Sequence, residues 1–354
     1  MKPNDHYEVF DLDEELEEVA EIPSIRHLAT SKPRPARGRA TRTRDSNEKQ
    51  EQKDIAAQID TIDSFKFTYH ASRHESWWLI ESLGGFIEGH WIDDLLQIVK
   101  GGKEASVYLC SAHASTGLQR PLIAAKVYRP RLLRNLRKDH LYREGRMDLD
   151  IDGRQVLDDG MLHAMHKRTT YGQELLHTSW IGHEYQTMQI LHAAGVELPA
   201  PYASGNNAIL MEYIGDEDLP APTLNTVDLE PGEAKTLYHR VVHNIELMLA
   251  NKRIHGDLSA YNLLYSDGRI SLIDFPQAIH PEQNRSAFRI FERDVSRVCE
   301  YFTRQGLKTQ PHRLAVDMWT AHGYHVTPEV HPRLLDDQDD ADREYWNRLQ
   351  QGKL

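Results

Sequence analysis

Residues 253–279 read RIHGDLSAYNLLYSDGRISLIDFPQAI, and no other stretch of the 354-residue chain restricts its fold so tightly. Two short apolar runs, residues 261–265 and 269–273, flank the turn triplet Ser266-Asp267-Gly268, a pattern that predicts a β-hairpin. Such a hairpin returns Asn262 and Asp274 to the same end of the ribbon, with Asp257 five residues ahead of the asparagine. Phosphoryl transfer asks for a carboxylate beside the attacking hydroxyl and for oxygen ligands that hold magnesium against the phosphates, because positioning and charge neutralisation supply most of the rate. Asp257, Asn262 and Asp274 meet those needs in order. A lone His-Gly-Asp or Ile-Asp-Phe is more often a packing feature than a site. Together and at hairpin spacing they point to chemistry on ATP with Mg2+.

The rest of the chain excludes several alternatives. A net charge of −12 gives no global attraction to nucleic acid or to an anionic membrane. Cys110 and Cys299 cannot build a disulfide framework, which fits a reducing cytosol, and neither has a zinc-ligand neighbour. The first residues lack the basic start and apolar stretch of a signal peptide, and no apolar run is long enough to span a bilayer, so the expectation is a cytoplasmic protein without membrane contact.

Composition divides the chain. Residues 1–75 alternate acidic, basic and polar blocks and read as a disordered charged tail. The basic block at residues 32–44 has no aromatic residue on which a base could stack, so RNA contact there would be electrostatic, and a solvated tail is the favoured reading. Residues 76–95 read as short packed elements broken by Gly84, Gly85 and Gly89, with Trp77, Trp78 and Trp91 in the core. QIVKGGKEASVYLC and PLIAAKVYRP then predict two or three antiparallel strands, the first interrupted by a Gly-Gly-Lys turn. Residues 131–172 are charged and non-periodic and read as a flexible insert; helical periodicity returns through Leu176, Trp180, Met188 and Leu191 and stops at Gly195. A strand through NNAILMEYIG follows, then helices over about residues 231–251 and 288–305, and an acidic polar tail at residues 331–354.

Lys126 stands at an alternating position of an apolar strand, awkward to bury without an anion to meet it. Glu184, four residues after Trp180 and so on the same helix face, is its expected partner, with Glu174 the fallback. His163 and His166 share a helix face, but no third ligand accompanies them, and solvated or core histidines are the reading taken.

These motifs resemble the RIO family of atypical serine/threonine protein kinases. The resemblance rests on Lys100-Gly101-Gly102-Lys103-Glu104-Ala105-Ser106-Val107-Tyr108, Lys126, Trp180 with Glu184, Ala194-Gly195-Val196, Met211-Glu212-Tyr213-Ile214-Gly215, His255-Gly256-Asp257-Leu258-Ser259, Asn262 and Ile273-Asp274-Phe275-Pro276-Gln277-Ala278. It covers about residues 95–300 and implies an α+β, two-lobed protein-kinase-like fold. The N-lobe, residues 96–215, would be a small antiparallel sheet with one long helix; the C-lobe, residues 216–330, would be mainly helical and lack activation-segment docking subdomains. By the same resemblance Asp257 is the catalytic base and Asn262 and Asp274 are the magnesium ligands. Lys126, paired with Glu184, contacts phosphate beside the loop residues Gly102, Lys103, Ser106 and Val107. Met211 and the backbone of Glu212 and Ile214 hold adenine, and Ser259 lies in the catalytic loop. It implies a Ser/Thr kinase, or an ATPase in which Asp274 takes the phosphoryl group, and by analogy alone a ribosomal or RNA-containing partner. Gly101 replaces the hydroxyl residue usual in that loop, a loss for which Ser106 could compensate, and Ala260 replaces a common acidic residue. The alternatives are a small-molecule phosphotransferase of the aminoglycoside or choline kinase type, and a non-catalytic docking module gated by nucleotide.

Overall fold

The computed structural model describes residues 67–102, 104–129, 146–150, 153–205, 207–216 and 219–326, with Arg343. The tails at 1–66 and 327–354, Arg343 apart, most of the insert and Lys103 lie outside the described residues. The chain divides into two compact units, residues 1–134 and 135–354.

In the first unit, helix α1 (Arg73–Glu88) precedes three strands, β1 (Ile92–Lys100), β2 (Ala105–Ala112) and β3 (Leu122–Tyr128). β1 pairs antiparallel with β2, and β2 with β3. Ser72 caps α1 by accepting from the Glu75 N–H, and the helix runs straight through Gly84 and Gly85, where the sequence suggested short broken elements. Burial outweighs the glycine penalty: Trp78, Leu79, Leu83 and Phe86 all bury on one side. At about 100° per residue, Trp77 falls on the side of the helix opposite the stripe made by Trp78, Leu79, Leu83 and Phe86. Trp78 is core and donates to the Tyr128 carbonyl, whereas Trp77 is 45% exposed and Trp91 half-buried, correcting the all-core reading. The buried Glu75 carboxylate accepts from the hydroxyls of Tyr108 and Tyr69 at 2.7 and 3.1 Å. Burial first, then that carboxylate, pushes the Tyr69 phenol up to about 12 and Tyr108 up as well.

In the second unit, helix α2 (Asp159–Lys167), capped by Asp158, lies within the stretch read as a non-periodic insert, and helix α3 (Thr170–Ala193) starts ahead of the periodic segment. Gly172 lets the two helices close up: a Cβ there would sit 1.9 Å from the Ala164 carbonyl oxygen. Gly195 ends the run at φ +84, as its place in the sequence predicts. A hairpin of β4 (Pro201–Ser204) and β5 (Ala208–Glu212) leads to helix α4 (Pro231–Ala250), opened by proline at its first position. The predicted hairpin follows as β6 (Leu263–Ser266) and β7 (Arg269–Leu272), then helices α5 (Ala287–Arg304) and α6 (Pro311–Ala321). The sequence reading had no counterpart for β4 or α6. Ala260–Asn262 forms a turn of 3-10 helix rather than the start of β6, which leaves Tyr261 65% exposed. Among the described residues no helix is long and apolar enough to cross a membrane.

Candidate active site

The β6–β7 hairpin does what its spacing demands. The Ile273 N–H donates to the Asn262 carbonyl at 3.0 Å, closing the ribbon so that Asp274 follows directly on the bond that holds Asn262. The Asn262 side-chain amide donates to the Asp257 carbonyl at 2.9 Å. Only the NH2 end of an amide can donate to a carbonyl, so Oδ1 of Asn262 is left as an acceptor, with no hydrogen-bond partner among the described residues. Asp274 sits at φ +73, a left-handed conformation that aspartate tolerates better than most residues but that still costs of order 1 kcal/mol.

The loop carrying Asp257 is stitched to the segment after Asp274. Ile254 and Ile279 exchange both backbone hydrogen bonds at 2.9 Å. Between them Gly256 has φ +86, and a Cβ at that position would lie 2.1 Å from the Gln277 carbonyl oxygen, so glycine is required on both counts. His255 reaches the Ile273 carbonyl through Nε2 at 3.1 Å and packs on the fully buried Phe275 ring, centroids 4.8 Å apart. Glu184, itself buried, accepts from the Phe275 N–H at 3.2 Å. The carbonyls of the Pro276–Ala278 turn are held by Arg146, 2.6 and 3.1 Å from Pro276 and Ala278, and by His183 at 3.0 Å from Ala278. Burial, and then the Arg146 charge, hold the His183 ring neutral by lowering its pKa to about 3.

Two residues absent from the sequence reading complete the surroundings of Asp257. Arg297 of α5 donates from Nη1 to Asp257 Oδ1 at 2.6 Å. Asp294, one turn earlier and buried, accepts from the Gly256 N–H at 2.8 Å and from the Leu258 N–H, the amides on either side of Asp257. Arg293 contacts both Asp294, at 3.1 Å, and the Gly256 carbonyl. Burial pushes the Asp294 carboxyl up to about 6, against the pull of Arg293 and the two amides. A signal for Asp294 did exist: it stands inside the helical apolar stripe of Ile290, Phe291, Val295, Val298 and Phe302, where a carboxylate needs donors. Arg297 carried no such mark.

The other expected residues fall as follows. Lys126 on β3 is buried and lies directly opposite Val107 of β2, so both side chains share one face of the sheet, and its ammonium stands 5.5 Å from the centre of the Tyr128 ring. Ser106 alternates to the other face, with Tyr108, and is fully buried. The idea that Ser106 replaces the missing loop hydroxyl is therefore corrected: strand alternation turns it away from Lys126. Gly102 approaches the Ala105 carbonyl so closely that a Cβ would lie 2.7 Å from it. Met211 is buried on β5; the Glu212 N–H is used by the Ala200 carbonyl, whereas the Ile214 N–H has no partner among the described residues. Ser259 precedes the 3-10 turn and accepts the Asn262 N–H at its carbonyl. Glu174 is solvent-exposed, while Glu184 is 1% exposed. Lys126 and Glu184 belong to different units, and each is described within its own.

A profile of the RIO domain matches residues 141–314. The RIO-type serine/threonine-protein kinase Rio1 of Thermoplasma acidophilum is 33% identical over 135 residues, 38% of this chain and 69% of the archaeal protein. The chain belongs to the RIO family of serine/threonine-protein kinases. Serine/threonine-protein kinase RIO1 of Homo sapiens is 27% identical over 61% of this chain, and that of Schizosaccharomyces pombe 29% over 60%; the matches span 34% and 39% of those longer proteins. A solved kinase, PK-1 of the Cydia pomonella granulovirus, covers 62% of this chain and 71% of its own at 13% identity and TM-score 0.37, too loose a likeness to add to the assignment. The antiparallel strands of the first unit and the mainly helical second unit are the α+β, protein-kinase-like fold of RIO enzymes. Membership in a kinase family implies use of ATP.

Proposed function

We propose that the chain transfers the γ-phosphate of ATP, with Mg2+, to a serine or threonine hydroxyl, Asp257 serving as base. The observation that carries the reading is the orientation of Asn262: with its NH2 committed to the Asp257 carbonyl, its Oδ1 is left as a hard oxygen donor beside the carboxylate residue that ends the hairpin. An amide oxygen and a carboxylate are the donor chemistry magnesium takes, and Asn262 and Asp274 are the residues that would hold it. Bound there, the ion would neutralise charge on the phosphates.

Asp257 receives the hydroxyl proton as the acceptor oxygen bonds to phosphorus and the bond to the β-phosphate oxygen breaks, releasing ADP. Gly102, Val107 and Lys126 serve the phosphates, with Lys103 of the same loop outside the described residues; Met211, Glu212 and the unengaged Ile214 N–H serve adenine. Glu184 keeps the Asp274–Phe275 segment in place through the Phe275 N–H, besides its proposed role toward Lys126. Asp274 can also accept the phosphoryl group itself, in which case water completes an ATPase cycle. A ribosomal or RNA-containing partner is proposed by analogy; the basic block at residues 32–44 lies outside the described residues.

The test is incubation of the purified protein with γ-labelled ATP and magnesium, separating acid-stable from acid-labile protein phosphate and counting free phosphate. Turnover lost in both Asp257→Ala and Asp274→Asn supports the assignment. Turnover retained in either variant rejects its role, and ATP binding without turnover in the wild type favours a nucleotide-gated docking module.

A further inference from the structure

Beside Asp257 the second unit contains a cavity of about 620 Å3 that extends from Asp257 and Asn262 along a face of α5 to which the roles above assign nothing. Its walls include Asp257, Tyr261 and Asn262 on one side and Arg297, Glu300 and Arg304 of α5 on the other. We propose that this cavity is the acceptor channel, and that it selects an extended protein segment carrying an acidic residue three positions from the serine or threonine to be phosphorylated.

The inference rests on Asp257 acting as the base. Arg297 occupies only one oxygen of that carboxylate, Oδ1; the other, Oδ2, has no hydrogen-bond partner among the described residues and is the one left to take a hydroxyl proton. Arg297 thus marks the reacting end of the channel.

Residues 297, 300 and 304 recur at spacings of three and four and so lie along one face of α5. From Arg297 to Arg304 the helix rises about 10 Å, at roughly 1.5 Å per residue. An extended segment advances about 3.3 Å per residue, so a chain following α5 covers that distance in about three residues. Arg304 is exposed and makes no ion pair or hydrogen bond through its side chain among the described residues, in contrast to Arg297. It is therefore the cation available to a carboxylate on the acceptor. Glu300, between the two arginines and also exposed, disfavours an acidic residue at the intervening positions and favours a basic or polar one. Tyr261 offers the opposite wall an exposed ring without a core role.

The experiment uses the full-length chain, labelled ATP and four synthetic nonapeptides with a central serine. Two carry glutamate three positions before or after the serine, and two carry glutamine at the same places. The expected result is a kcat/KM about fivefold higher for one glutamate peptide over its glutamine match, the size a single exposed ion pair supplies. In Arg304→Glu, at an exposed helix end, that preference disappears and a lysine peptide takes the place of the glutamate peptide. Equal rates on all peptides, or a preference that survives Arg304→Glu, overturn the selectivity while leaving phosphotransfer standing. ATP hydrolysis without any peptide labelling overturns the channel itself. Absence of all ATP turnover overturns the underlying reading together with this one.

Discussion

Replacing Asp294 with asparagine tests how the loop carrying Asp257 is held. The carboxyl is buried and titrates near 6 in the folded chain, against an ordinary value of 3.8. A carboxyl raised in this way binds its proton more readily folded than unfolded, so its contribution to stability grows as pH falls through 6 and levels off below 3.8. Between pH 7 and pH 5 that linkage amounts to about 1 kcal/mol, taking about 1.4 kcal/mol per pH unit once the folded group is protonated. Asparagine keeps an oxygen for one of the Gly256 and Leu258 amides and cannot titrate. The wild type should therefore gain about 1 kcal/mol relative to Asp294→Asn when urea unfolding is moved from pH 7 to pH 5. Taking the difference between the two proteins cancels every other titrating group. Asp294→Ala should be about 1–3 kcal/mol less stable than Asp294→Asn, because buried amides lose their acceptor altogether. A wild-type advantage that does not change with pH would refute the burial argument; one that shrinks at pH 5 would mean that Arg293 and the amides outweigh burial.

His183 carries the opposite sign. Its folded pKa is near 3, so the unfolded chain binds the proton first and stability falls as pH drops from about 6.5 towards 3; at pH 5 the loss approaches about 2 kcal/mol, measurable as the difference in urea midpoints from His183→Gln. Gly256→Ala combines a φ of +86 with the Gln277 clash and should cost about 2–4 kcal/mol in urea unfolding, with reduced phosphate transfer; a cost under about 0.5 kcal/mol would show that the loop relaxes freely. Asp274→Asn and Asp274→Ala should both abolish turnover, but alanine should be about 1 kcal/mol less stable by thermal unfolding, since asparagine accepts the left-handed backbone there and alanine does not.

The hairpin and the apolar strands were legible in the sequence because two-residue alternation and turn chemistry are local signals. β7 falls within the second apolar run and β6 overlaps the first, taking in Ser266 of the expected turn, and α3 stops where Gly195 allows the backbone to turn left-handed. α1 was harder to see: Gly84 and Gly85 read as breaks, and only the burial of Trp78, Leu79, Leu83 and Phe86 against the rest of the unit overrides them. α2 was hidden for a different reason: it is only nine residues long, set in a charged stretch, and just one of its residues, Met165, is buried. In the candidate site, Asn262 and Asp274 were readable as neighbours from hairpin spacing alone. Arg297 was not, because an arginine on a charged helix looks like a solvated one until the fold brings α5 against the loop forty residues earlier.

The double bridge between Ile254 and Ile279 makes two apparently separate loops a single mechanical part. It encloses Asp257, the hairpin and the Asp-Phe-Pro segment in one closed circuit of backbone, fastened at its neck and with Gly256 pressed against Gln277 just inside it. Turning Asp274 outward would pull on a backbone whose two ends are tied by these paired amides. The left-handed turn at Asp274 is thus held from both ends of the same circuit, by the hairpin closure at Asn262 and by the neck at Ile254 and Ile279.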